Sequence, residues 1–245
     1  MDTTFYSEYY EIEDRHWWFV GRREVLMRVL ADHLEPGRDR RILDVGCGTG
    51  TMLAHLGRFG TAQGVDASEE AVAFCHQRGL DDVGLLDDGP LPFGDDTFDL
   101  VTAFDVIEHV DDDLGLLRDF RRVVAPGGHV MVSVPAYRFL WGPQDEISHH
   151  KRRYVRRELT ARFEEAGLTV LRSTYFNTLL FPPIAAIRVL RPAKPAEELE
   201  SDFTLTKPGR VNSLLGRVFA SEARLVGRTD LPFGVSILAL ARNDG

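Results

Sequence analysis

Three glycines at alternate positions, Gly46, Gly48 and Gly50, follow the apolar run Ile42-Leu43-Asp44-Val45, and a second apolar run from Thr61 to Val65 ends in Asp66, 22 residues beyond Asp44. An apolar run of this kind reads as a strand buried on both faces, and glycine lets backbone come close to a bound molecule. In a βαβ unit, an acidic residue at about this spacing sits at the tip of the second strand, where it can accept hydrogen bonds from both hydroxyls of a ribose. The alternative is an ordinary turn aspartate ahead of a helix capped by Ser68. The dinucleotide fingerprint wants G-x-G-x-x-G. Here the third glycine falls one position early, and Thr51 stands where the last should be. The offset argues against a nicotinamide or flavin dinucleotide and leaves a nucleoside ligand.

Further along come Leu91-Pro92-Phe93, Phe98-Asp99, Val106-Ile107-Glu108-His109-Val110 and Ala125-Pro126-Gly127-Gly128. With Asp44 through Gly50 and Asp66, these resemble the successive motifs of class I S-adenosylmethionine-dependent methyltransferases, in order and spacing, over about residues 40 to 135. His16-Trp17-Trp18-Phe19 with Arg22-Arg23, and His149-His150-Lys151-Arg152-Arg153-Tyr154, resemble a bacterial small-molecule subgroup of that family.

The resemblance implies S-adenosylmethionine as cofactor and a role for each matching residue. Gly46, Cys47, Gly48 and Gly50 would shape the floor under its methionine part, with Asp44 ordering the ammonium. Asp66, followed by Ala67, would hold the ribose. Asp88 would accept from the adenine amino group with help from the Gly89 backbone, and Asp87 is the one-place alternative. Phe104 and Asp105 would approach the sulfonium or the methionine ammonium. The aromatic N-terminal segment with Trp18 would fold across the cofactor mouth, with core packing as the alternative for Trp18, and Arg22 and Arg23 would meet the methionine carboxylate as charge-assisted donors or only pair with surface acids. Methyl transfer is mainly alignment of nucleophile, methyl and sulfur. An acceptor with a proton to lose still wants a base, and His109, His149 and His150 are the candidates, with Asp105 beside the reacting centre. Tyr6, Tyr10, Tyr137, Trp141, Arg152, Arg153 and Tyr154 are candidate substrate contacts. No metal is expected.

The elements that must position these residues follow from periodicity. A helix is expected over 7–34, with Trp18, Val25, Leu26, Val29, Leu30 and Leu34 at three- and four-residue spacings. Strands are expected at 41–46, 61–66, 82–86, 98–104, 128–134, 169–176 and 233–242, with helices at 50–59, 68–78, 112–124 and 156–166. Strands alternating with helices imply a doubly wound, mostly parallel seven-stranded α/β sheet with right-handed crossovers. Asp111-Asp112-Asp113 supplies a cap and a negative first turn for the helix after it. At 245 residues one domain is expected: an N-terminal helical cap over 1–40, a cofactor-binding core over 41–176, an insertion over 177–230 and a last strand over 231–245. The insertion reads as a substrate lid, with a dimer contact or a membrane-surface hairpin as alternatives. Its segment 192–202 is rich in Glu, Pro and Lys, a composition that favours disorder.

The formal net charge of -9 disfavours nucleic-acid and anionic-lipid partners. Twelve Asp or Glu and no Lys or Arg fall between Asp81 and Asp113, a rim suited to a cationic sulfonium. Five Lys or Arg crowd Lys151 to Arg157, which could meet an anionic acceptor or merely face solvent. Two cysteines cannot build a disulfide framework, and no secretory signal opens the chain, so a cytoplasmic protein is expected. Leu179 to Leu190 is twelve residues long, short of the roughly 20 a spanning helix needs. The expected function is methyl transfer to an oxygen or nitrogen of a small metabolite of secondary metabolism, anionic or glycosylated, with an isoprenoid, quinone or lipid acceptor at a membrane surface, or cofactor binding without turnover, as alternatives.

Overall fold

A computed structural model describes residues 4–34, 39–87, 89–190, 203 and 209–245. Among them, β1 (Arg41–Val45), β2 (Thr61–Asp66), β3 (Val83–Leu85), β4 (Phe98–Phe104), β5 (Val124–Pro135), β6 (Thr169–Phe176) and β7 (Ser236–Arg242) form one sheet in the order β3-β2-β1-β4-β5-β7-β6. β7 runs antiparallel to β5 and β6, and the other pairings are parallel. This is the mostly parallel doubly wound sheet expected. β1 pairs with β4, although β2 and β3 lie between them in sequence, so the winding reverses here and a crevice opens beyond the carboxyl ends of both strands.

Alternation along the strands feeds two cores. On one face Leu43, Val45, Val101, Ala103, Val130 and Val132 pack with Leu117 and Phe120 of α5 (Asp113–Val123) and Leu159 and Phe163 of α7 (Arg156–Glu165). On the other, Ile42, Leu100, Met131, Leu238 and Leu240 meet Leu26, Val29 and Leu30 of α2 (Trp17–His33) and Leu56 of α3 (Thr51–Leu56). Neighbouring residues of one strand therefore serve opposite layers, as a period of two requires. Asp112 caps α5 by accepting from the Gly115 amide at 2.8 Å.

The one helix expected over 7–34 is two, α1 (Thr4–Ile12) and α2. The break comes at His16, an extended residue whose Nδ1 accepts from the Trp18 amide at 3.3 Å and so caps α2. α1 is thereby freed to fold back over α4 (Glu69–Gln77), where Tyr10 stacks on Phe74 with ring centroids 4.7 Å apart.

Between β6 and β7 lie three helices the periodicity left unassigned: α8 (Phe181–Leu190), α9 (Arg210–Ser221) and α10 (Ala223–Val226). The segment 192–202 lies outside the described residues. No described helix is long and apolar enough to cross a membrane. The fully buried Glu222 joins this segment to the sheet, its carboxylate accepting from the amides of Thr178 at 2.9 Å and Leu179 at 2.6 Å. Asn212 of α9 accepts from the Trp17 amide at 2.9 Å and donates to the Arg15 carbonyl at 2.7 Å, which ties the insertion to the turn between α1 and α2.

α9 also lies against α2 at Gly21, where a methyl group would overlap the buried ring of Phe219. Overpacking of this kind costs about 1–3 kcal/mol. Gly21→Ala is expected to lower the urea midpoint and to drop the melting temperature by several degrees. An unchanged melt would show that α9 does not dock on α2 in solution.

Candidate functional site

Beyond the carboxyl ends of β1 and β4 lies a cavity of about 970 Å³, within the range of ligand pockets. Its polar end is built by the turn after β1. The Gly46 and Cys47 amides donate to the Val65 carbonyl at 2.8 and 3.1 Å, which pulls the turn across to β2. Gly48 has φ +57 and open space where a side chain would stand, so its backbone faces the cavity bare. Gly50 does not line the cavity; it lies beneath, against Leu80 and Cys75.

Asp66 accepts from the Gly48 amide at 2.8 Å and the Ser68 amide at 3.0 Å, and Tyr6 of α1 also bonds its carboxylate. Burial raises its pKa against these donors. A carboxylate offers about four lone-pair sites, so acceptor capacity is left for a ligand hydroxyl. Asp44 is 2% exposed and takes a 2.6 Å hydrogen bond from Thr102 on β4. Burial pushes it up to about 7, opposed by Thr102 and by the Arg22 charge. Ala67, Asp87 and Gly89 line the wall past Asp66. Asp88 lies outside the described residues.

Phe104 ends β4, and Asp105 follows in the left-handed region at φ +59, its amide donating to the Ser133 carbonyl at 2.8 Å. That geometry turns the Asp105 side chain toward α2, where it pairs with Arg22. The Arg22 guanidinium lies 4.7 Å from the centroid of the Trp18 ring, and its buried Nε has no hydrogen-bond partner. Arg23 does not line the cavity.

The lid over this end is fastened by residues that motif reading missed. Arg78 donates through Nε to the Thr49 carbonyl at 2.7 Å and pairs with Glu13 at 2.5 Å and Asp14 at 3.1 Å, while Thr49 donates to the same Glu13 carboxylate. Its guanidinium lies 4.6 Å over Tyr10. One arginine thus holds the turn between α1 and α2 down on the glycine loop, and Tyr10 belongs to this clasp rather than to the cavity wall.

Also lining the cavity, Glu108, His109 and His150 face one another, with the two imidazole rings 4.7 Å apart in an edge-to-face pose. His109 is pushed down to about 4 by burial and by the neighbouring His150, so its ring is neutral at pH 7. Glu108 is fully buried, neither oxygen has a hydrogen-bond partner, and burial together with Asp105 drives its pKa well up. His150 is oriented by Asp145 of α6 (Pro143–Ile147), which accepts from Nδ1 at 2.9 Å. Burial opposes ionisation of Asp145, but His150 and Arg153 hold it down to about 2.

Several residues expected at a substrate are engaged elsewhere. Tyr154 is 3% exposed in the core and donates to Asp113 at 2.8 Å. Tyr137 stacks on Tyr175 at 5.1 Å, Trp141 donates to Glu146 at 2.6 Å, and His149 is exposed; none of these lines the cavity. Arg152 donates to the Val110 and Asp111 carbonyls and pairs with Asp113, away from the cavity. Arg153 does line it, but its guanidinium is held by both oxygens of Asp145. Lys151 pairs with Asp111, and Arg156 and Arg157 lie away from the lining, so the basic run offers the cavity no unpaired cation. The wall opposite the glycine turn is instead apolar, made by Leu180, Pro183, Ile184 and Ile187 of the α8 region and Leu215 of α9. A sequence signal for it existed in the apolar spacing of α8, which read only as a hydrophobic stretch.

A family model described as a methyltransferase domain matches residues 19–173. Norajmaline N-methyltransferase of Rauvolfia serpentina is 31% identical over 130 residues, 49% of this chain and 44% of that protein. Demethylmenaquinone methyltransferase of Bacillus subtilis is 39% identical over 119 residues, 44% and 49% respectively. The chain thus spans about half the length of these curated relatives. Among solved structures, a chain in the complex of the Haloferax volcanii Trm112 methyltransferase activator with a methyltransferase superposes with a TM-score of 0.64 at 21% identity, covering 99% of this chain and 95% of that one. That likeness shows the fold.

The raised pKa of Asp44 has a testable sign. The unfolded chain releases this proton near the ordinary value of 3.8, whereas the folded protein keeps it to about 7. Stability therefore falls as pH rises across that window, because the native state binds more protons. Asp44→Asn is expected to flatten this part of the pH profile and to stabilise the ligand-free protein at pH 8 by on the order of 2 kcal/mol. Parallel urea-denaturation profiles for the two proteins from pH 4 to 8 would refute the assignment.

Proposed function

The chain belongs to the methyltransferase-domain family, and on that premise we propose that it transfers the methyl group of S-adenosylmethionine to an oxygen or nitrogen of a small acceptor whose body is largely apolar. The observation that carries this reading is the mixed lining of the cavity. Carboxylates and the bare backbone of the glycine turn share it with aliphatic side chains of the insertion.

The residues present fit the donor. Asp66 has acceptor capacity for the ribose hydroxyls, Asp44 can meet the ammonium, and the cavity-lining Arg22 supplies positive charge for the carboxylate. Asp87 and the Gly89 backbone remain available beside the base. When bound, S-adenosylmethionine supplies an electrophilic methyl group on a sulfonium. The chain's own part is alignment and exclusion of water: α1 closes over the donor end under the Arg78 clasp, and α8 and α9 hold the acceptor from the opposite side. The cluster of Glu108, His109 and His150 lines the same cavity and offers polar atoms to an acceptor.

The anionic acceptor suggested by the basic run is not retained, because its cavity-facing arginine, Arg153, is committed to Asp145. An acceptor with an isoprenoid or acyl tail is a second reading, favoured by Val189 and Leu190 of α8, exposed at 69% and 80%, which continue the apolar wall outward.

Titration calorimetry with S-adenosylhomocysteine tests the donor half. Wild-type protein is expected to bind it, and Asp66→Ala to weaken binding at least about tenfold, since hydrogen bonds to a charged group are worth about 1.5–3 kcal/mol. No heat of binding by the wild type would remove the donor assignment. For the acceptor half, metabolite extracts incubated with methyl-labelled cofactor and resolved by mass spectrometry are expected to show a labelled apolar product. A product bearing free carboxylate or phosphate groups would contradict the apolar reading.

A further inference from the structure

We propose that Glu108, His109 and His150 bind a divalent first-row transition-metal ion, zinc or a neighbour such as cobalt or iron(II), on the wall of the cavity. Among the described residues no other three His, Cys, Asp or Glu side chains gather in this way, and each of these offers one ligand atom within 4.8 Å of the others. That spacing is slightly wider than the roughly 4.2 Å spanned by ligands held about 2.1 Å from an ion, so the three side chains would draw together on binding. Two imidazoles and one carboxylate with open positions beside them form a donor set suited to such ions. This departs from the absence of a metal expected from the sequence, which held no recognised ligand spacing because His150 lies 41 residues beyond His109.

The independent sign is Glu108. Its side chain is fully buried, it opens on the cavity, and neither oxygen has a hydrogen-bond partner. A buried carboxylate without donors is costly and calls for a cation or for a role that needs the vacancy. The nearby cations answer it only through space and hydrogen-bond to neither oxygen. Arg153 is bound to both oxygens of Asp145, and Arg22 is engaged by Asp105.

His150 has the arrangement usual for a metal-binding histidine. Nδ1 is held by Asp145 at 2.9 Å, while Nε2 points toward Glu108, 3.9 Å from Oε1. A carboxylate on the far nitrogen fixes the tautomer and turns the ring, as in carboxylate–histidine–metal triads. Asp145 is fixed in turn by Arg153 and by the Gly142 amide at 2.7 Å. The His-His-Lys-Arg-Arg run thus acquires a use in orienting one ligand. An ion here would bind an acceptor hydroxyl and favour its ionised form, with the released proton passing to solvent. That role rests on the methyl-transfer reading; the ion site itself does not.

The test is a cobalt(II) titration of the full chain after treatment with a chelator, followed by visible absorption, with S-adenosylhomocysteine titrated calorimetrically on the same samples. One ion per chain with d–d bands is expected. Glu108→Gln, His109→Ala and His150→Ala should each weaken binding at least about tenfold, and Asp145→Asn by about tenfold through the misoriented ring. His76→Ala, which changes an exposed histidine outside the cavity, should bind cobalt as the wild type does. Wild-type protein without saturable bands, or Glu108→Gln and His150→Ala variants binding cobalt like the wild type, would overturn the proposal. If circular dichroism shows Glu108→Gln to be unfolded, His150→Ala decides. Cobalt binding without S-adenosylhomocysteine binding would sustain the ion site and remove the donor reading; the reverse result would do the opposite.

Discussion

Buried negative charge governs the architecture of this protein. Asp44, Asp66, Asp105 and Glu108 converge at one end of the sheet because the winding reverses between β1 and β4, which leaves strand ends without crossover cover. Their mutual repulsion adds to desolvation: Asp66 raises Asp44, and Asp105 raises Glu108. Arg22 offsets part of this. It reaches Asp105 only because α2 starts at His16, crosses the sheet end and docks its apolar side on Ile42, Leu100 and Met131. The packing of α2 and the electrostatics of the cavity are therefore one problem, solved by the same helix.

The lid and the wall follow from that placement. Once α2 is fixed, the turn before it brings Glu13 within reach of Arg78 and Thr49, so α1 closes over the glycine loop without an apolar core of its own. A clasp of charge-assisted bonds holds firmly yet opens at modest cost, because water can replace each partner. α9 meets α2 through Phe219 and Asn212, so the wall opposite the glycine turn is anchored to the element that carries Arg22. Donor end and acceptor wall are thus coupled through one helix, and displacement of α2 would disturb both.

A fold of this class hosts many chemistries, and the sheet alone does not choose among them. The family match covers 19–173, leaving α9, α10 and β7 beyond it, and the wall contributed by α8 and α9 lies outside that span. The glycine loop, Asp44, Asp66 and Asp105 sit in the matched core, whereas Leu180, Ile184, Ile187 and Leu215 of the apolar wall lie beyond it.

The donor end was legible in the sequence because its geometry is local. A strand, three glycines and an aspartate at the next strand tip fix backbone positions within about twenty residues: the Gly46 and Cys47 amides donate to the Val65 carbonyl, and the Gly48 amide donates to the Asp66 carboxylate. The sheet was legible for the same reason, since alternation and apolar runs report burial directly. The acceptor end was not. Whether Arg153 serves a substrate or Asp145, whether Tyr154 faces the cavity or the core, and whether Glu108 finds a donor all depend on elements far apart in sequence being packed together. Side-chain partners across such distances are set by tertiary contacts that periodicity does not encode. The sequence therefore determined the strand layout and the donor loop, and only the folded structure decided which charges are spent on each other and which remain for a ligand.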